Sequence, residues 1–205
     1  MKSHPAKLPR KEQQQLLNDL NYLNMAEIKS FCKRYAIPFR IAVETENGSR
    51  ILTKEDDRKG IILDRIRHFL RTGSVPEATC FPAAVVCFGP LPENLREGDR
   101  LFYGQYDKTN QSMRDLLQGL TDGKFRHGAI ARILAREFWS GGEAPTFAKY
   151  AAAWLEASRQ HTKPNPEWAF LSDRASAGNI KNWKKLRAEK AAHVLATMHR
   201  LLSSG

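Results

Sequence analysis

The chain of 205 residues is poor in cysteine, has no long apolar run and holds too few acids to balance its bases. Its three cysteines, Cys32, Cys80 and Cys87, are odd in number and come without a CxxC pair or a spaced histidine partner. That pattern argues against a disulfide framework and against structural zinc. No stretch approaches the roughly 18–20 apolar residues of a membrane helix. The opening segment MKSHPAKLPRKEQQQ lacks the apolar centre of a secretory signal. These absences lead to the expectation of a soluble protein in a reducing cytoplasm, with no membrane partner. Catalytic signatures are missing as well: there is no HExxH and no GxSxG, and GKFRHG (123–128) lacks the spacing of a phosphate-cradling P-loop. A metal-dependent nuclease would need clustered carboxylates, and none stand out. The sequence therefore reads as non-enzymatic, with no cofactor and no metal.

Positive charge is what the chain does have. Lys and Arg number 33 against 22 Asp and Glu, a net charge of +11. Divided at mid-chain, residues 1–100 carry 17 bases and 13 acids, and residues 101–205 carry 16 and 9, so both halves are basic. Such a balance favours a polyanionic partner through long-range attraction and counterion release. Apolar residues make up 41%, enough for a core.

Periodicity predicts a mainly α protein. Residues 1–19 read as a polar tail and lead-in. A helix is predicted over 25–37, where Ile28, Phe31, Cys32 and Tyr35 recur at i, i+3, i+4 and i+7. Asn24 and Glu27 form a capping-box pattern at its start, and Pro38 follows its end. Two β-prone runs in 39–53 flank Asn47-Gly48, the signal for a type I′ hairpin. In DDRKGIILDRIRHFLRTG (56–73), Ile62, Leu63, Ile66, Phe69 and Leu70 fall within about 120° of a helical wheel, and Thr72-Gly73 ends the helix. Residues 74–105 are dense in proline and glycine and read as an extended connection over the surface. From 106 to 205 the pattern is that of a helical bundle, with stripes Met113/Leu116/Leu117/Leu120, Ile130/Ile133/Leu134/Phe138 and Phe147/Tyr150/Ala151/Trp154/Leu155. A last helix buries Trp183, Leu186, Val194, Met198 and Leu201 beneath a Lys/Arg-rich face.

Residues 20–73 resemble the SAP domain, a small helix–extended–helix module associated with DNA binding. Leu23, Glu27, Ile28, Lys29 and Ala36-Ile37-Pro38 are similar to its first helix, and Lys59, Ile62, Asp64, Arg65 and Ile66 to its second. The resemblance implies a partner, DNA, duplex rather than single-stranded, held by phosphate contact without readable sequence preference. Lys59 stands near a helix N-terminus, where unpaired N–H groups favour anions. Arg58, Lys33, Arg34 and Arg67 complete the candidate set. Asp57 occupies a position where SAP sequences usually carry glycine; its removal is expected to strengthen DNA binding at a small cost in stability. An alternative stays open: the basic faces could meet an acidic protein, with Asp64, Arg65, Arg67 and Arg71 forming ion pairs on a wet helix face.

A secondary basic surface is expected at Lys124, Arg126, Arg132 and Arg136. His127 has Asp122 and Glu137 as possible acid–base partners. Trp139, Trp154, Trp168 and Trp183 read as core residues more than as base-stacking platforms.

Overall fold

The computed structural model describes residues 9–160 and 180–203, and among them the fold is mainly helical. The elements in chain order are α1 (Arg10–Asp19), a 3₁₀ turn (Leu20–Tyr22), α2 (Met25–Arg34), β1 (Arg40–Glu44), β2 (Arg50–Asp56) and α3 (Lys59–Thr72). There follow β3 (Cys80–Phe81), a second 3₁₀ turn (Ala83–Val85), α4 (Gln111–Gly119), α5 (Ala129–Ser140), α6 (Phe147–Gln160) and α7 (Ile180–Ser203). Among the described residues no helix is long and apolar enough to cross a membrane. Residues 1–8 of the expected tail, and Trp168, lie outside the described residues.

The chain forms two compact units, neither continuous in sequence. The first comprises Met1–Arg40, Glu55–Ala78 and Pro164–Gly205; the second comprises Ile41–Lys54 and Thr79–Lys163. The span 20–73 thus does not close on itself. In the first unit α2 and α3 bury Ile28, Phe31, Cys32, Ile62, Leu63 and Ile66, but the same core takes Leu16 and Leu20 from the lead-in and Ala191, Val194, Met198 and Leu201 from α7. Residues 10–19, expected as part of a polar lead-in, form α1: its surface is polar almost all round, and Leu16 is the apolar side chain it sinks fully.

α2 begins with the expected capping box, Glu27 N donating to Asn24 Oδ1 at 2.9 Å and Asn24 N to Glu27 Oε2 at 2.7 Å. Its other end closes on Ala36, which takes a left-handed φ of 55°, while Ile37 N reaches back to Cys32 O at 2.9 Å. An alanine fills a place that glycine usually takes. Burial pushes the Cys32 thiol up to about 11, the nearby Arg65 charge pulling the other way.

The approach to α3 rests on a buried ion pair. Arg65 Nη2 donates to Asp57 Oδ2 at 2.8 Å, with side chains only 7% and 1% exposed. Arg65 Nη1 donates to Pro38 O at 3.0 Å, Asp57 N to Phe39 O at 2.8 Å, and Asp57 Oδ1 accepts from Arg58 N at 2.8 Å. Arg65 is therefore no wet-face residue: it sits inside the unit because its own backbone position borders the apolar stripe. Asp57 is its counter-ion, which corrects the expectation that its removal carries only a small cost in stability. The Asp64–Arg67 pair, at 2.7 Å, does lie on an exposed face.

The second unit packs α4, α5 and α6 against β1 and β3. The sheet order is β2-β1-β3, with β1 and β3 parallel and Ala42 opposite Cys80, Val43 opposite Phe81. The hairpin forms as expected, but its turn is not type I′. Thr45 N donates to Ser49 O at 2.9 Å across a three-residue loop in which Gly48, at φ 77°, alone takes positive φ. The stretch 74–105, expected to run over the surface, sends Phe81, Val85, Leu101 and Tyr103 into this core. Its prolines interrupt regular structure without keeping the apolar residues between them out. Phe81 meets Tyr103 and Trp139 edge-on, at centroid distances of 5.0 and 5.8 Å, and Trp139 Nε1 donates to Leu101 O at 3.0 Å. On α5 the fully buried face is Ala131, Ala135 and Trp139, one step round from the expected stripe, whose Ile130, Leu134 and Phe138 flank it. Small residues let α5 come close to α6, where Tyr150 hydroxyl donates to Ala131 O at 2.7 Å.

Two outcomes are expected. Residues 20–73 produced alone, without Leu16 and the α7 side chains, show no cooperative melting by circular dichroism; a sharp transition would contradict the shared core. Asp57→Ala leaves a buried guanidinium unpaired and costs about 3–5 kcal/mol in chemical denaturation, whereas Asp57→Leu combined with Arg65→Met recovers much of that loss.

Candidate nucleic-acid interface

The two units divide the charge unequally. The first carries 20 Lys/Arg against 11 Asp/Glu, a net +9, and the second 13 against 11, a net +2. A cut at mid-chain hides this, because α7, with its bases, belongs to the first unit. Long-range attraction to a polyanion would therefore arise on the unit built from α1, α2, α3 and α7.

Within that unit the cations fall into two groups. Lys59, the first residue of α3, donates its Nζ to Asn21 O at 2.6 Å and is half-buried, so it ties α3 to the turn before α2. Arg58 is the N-cap residue, with its backbone N–H directed to Asp57 Oδ1. The α3 N-terminus thus already faces a carboxylate. On α7, Arg187 bridges Glu27 at 3.0 Å, Lys190 donates to Tyr22 hydroxyl at 2.9 Å over the Tyr22 ring, and Arg200 meets Glu12 at 3.3 Å. These pairs run α7 parallel to α2 and antiparallel to α1. The second group is exposed: Arg10 and Lys11 on α1, Lys33 and Arg34 at the end of α2, Arg40, Arg71 on α3, and Lys184 and Lys185 on α7. Arg67 holds Asp64, and Arg71 Nε donates to Arg67 O at 3.3 Å. Sequence reasoning places Lys184 and Lys185 only within a general basic face; their adjacency is the signal that could have singled them out.

Arg34 makes contacts with two aromatic neighbours. Its guanidinium carbon lies 5.7 Å from the centre of the Tyr35 ring, and its Nη1 lies 3.4 Å from His199 Nδ1. Tyr35 in turn packs tilted against Phe31, with ring centroids 4.6 Å apart. Glu27, Ser30, Phe31 and Arg34 follow one another at i, i+3, i+4 and i+7 on one face of α2. With Leu195 and His199 of α7 they line an open groove of about 230 Å³.

The secondary basic surface of the second unit is dispersed. Lys124 is exposed, 3.9 Å from Asp122. Arg126 curls back onto its own turn, its Nη1 donating to Gly123 O at 2.9 Å and Phe125 O at 2.7 Å. Arg132 is exposed on α5 and Arg136 is half-buried. His127 is partnered by neither Asp122 nor Glu137. Its Nδ1 shares a hydrogen bond with Tyr106 hydroxyl at 3.0 Å, while its Nε2 is buried without a partner. Burial, then the Arg114 charge, lower its pKa below the ordinary histidine value, Asp107 opposing them. Trp139 and Trp154 are buried. Among the described residues no three His, Cys, Asp or Glu side chains gather to hold a metal ion. Compared with family models, with curated proteins and with solved structures, the chain matches none.

His127 generates a pH expectation. Its folded-state pKa lies below its unfolded value, so its contribution to stability is complete above the unfolded pKa of about 6.5 and is lost as pH falls from there through the lower folded pKa. Denaturation at pH 7.5, 6.5 and 5.5 is expected to show wild type losing stability on acidification faster than His127→Gln; parallel profiles would contradict it.

Proposed function

We propose that the first unit is a non-enzymatic nucleic-acid-binding module whose partner is DNA, duplex rather than single-stranded, held through its phosphates. The observation that carries this reading is the concentration of net charge on one unit, +9 against +2. The SAP resemblance of its α2 and α3 supports the choice of polymer. Lys33, Arg34, Lys184 and Lys185 are the leading candidates, because their side chains are exposed rather than tied to acids of the unit. Arg67, shared with Asp64, and Arg58 are secondary. Lys59 acts by holding α3 in place.

Each phosphate neutralised releases counterions, so log affinity falls linearly with log salt. Lys33→Ala and the pair Lys184→Ala/Lys185→Ala are expected to weaken binding alike on all sequences and to flatten the slope by about 0.9 for each phosphate no longer neutralised. Arg132→Ala in the second unit leaves the slope unchanged. Lys59→Ala lowers melting temperature before it alters the slope. Absence of binding at low salt, or binding indifferent to salt, overturns the reading. Capture of an acidic protein by the parent, abolished in the same variants while DNA is ignored, hands the basic unit to a protein partner.

A further inference from the structure

The groove between α2 and α7 gathers hydrogen-bond donors around a rim whose one carboxylate is already satisfied. Glu27 Oε2 accepts from Asn24 N at 2.7 Å and Arg187 Nη1 at 3.0 Å, and its Oε1 from Arg187 Nη2 at 3.3 Å. The remaining polar lining is the Ser30 hydroxyl, the Arg34 guanidinium and the His199 imidazole, over a floor of Phe31 and Leu195. Arginine has no lone pair to offer, so a hydrogen bond across the 3.4 Å separation runs from Arg34 Nη1 to His199 Nδ1. Tyr35 hydroxyl lies 3.5 Å from the same Nδ1. One guanidinium N–H serves His199; the other four remain for a ligand.

We infer that this groove binds the phosphate group of a phosphate ester. Arg34 supplies the planar fork that matches two phosphate oxygens. Ser30 adds a hydroxyl donor, and His199 positions Arg34 from α7. The apolar floor accepts the carbon side of the ester, and about 230 Å³ admits a phosphate with part of the group it esterifies. The inference goes beyond the DNA reading: the donors match phosphate whether a polynucleotide or a free mononucleotide carries it. It also gives Arg34 a role different from that of its neighbour Lys33, which does not line the groove.

The test titrates the full chain with inorganic phosphate, a nucleoside monophosphate and duplex DNA, followed by ¹H–¹⁵N spectra. Saturable shifts centred on Ser30, Arg34 and His199 are expected with the first two probes. Arg34→Ala should weaken them by about tenfold or more, the loss of one charge-assisted pair. Arg34→Lys should recover only part of the loss. Displacement of duplex DNA by the mononucleotide would place the polymer's own phosphate in the groove; independent binding would assign the groove to a free nucleotide. Phosphate binding at Arg34 with no DNA binding at low salt sustains the groove and ends the DNA reading. No saturable shift at these residues, or the same shift in Arg34→Ala, overturns the groove, and DNA binding with a normal salt slope would then stand without it.

Discussion

The buried pair of Asp57 and Arg65 fixes where α3 begins and how it meets the end of α2. Two ions sheltered from water are stable together and costly apart, so the two ends of the hairpin segment, Pro38-Phe39 and Asp57-Arg58, have little freedom to rearrange. Arg65 holds Pro38 O with one nitrogen and Asp57 with another, and Asp57 holds both Phe39 O and Arg58 N. From that anchor Lys59 is set against Asn21 O, and the apolar face of α3 turns toward Ile28, Phe31 and Cys32. The hairpin between the two helices departs to the second unit and returns without disturbing this joint.

The same economy of charge governs the rest of the first unit. Arg65, Lys59, Arg187 and Lys190 serve structure: each meets an acid, a carbonyl or a hydroxyl of the unit. What remains at the surface is smaller than the raw composition suggests, and its adjacent pairs lie at the start of α1, at the end of α2 and on α7. A basic protein is thus better described by which of its cations are already engaged than by their number.

Local pattern made much of this legible. The capping box at Asn24, the Ile28/Phe31/Cys32/Tyr35 stripe, the α3 stripe and the α6 stripe all depend on neighbours a turn away, and a sequence displays those directly. What it did not display were the partners. α1 is polar on nearly every face, so one buried leucine gave no period to read. Arg65 stood at the border of a stripe, where a solvated and a buried arginine look the same until Asp57 is known to lie opposite. The burial of Ala131 and Ala135 in place of Ile130 and Leu134 follows from how near α6 comes, a tertiary fact. The groove needed α7 beside α2, and His199 lies 165 residues from Arg34.

The discontinuity of the first unit has a consequence for how the chain matures on the ribosome. Synthesis delivers α1, α2 and α3 early, yet Val194, Met198 and Leu201 emerge only after every helix of the second unit. During that interval the second unit has all its strands and helices, while the first presents an open apolar surface with no internal lid. The nascent chain therefore passes through a stage at which one unit is finished and the other is sticky, the condition under which chaperones and misassociation compete. Arrival of α7 is then both the completion of a core and the end of that exposure.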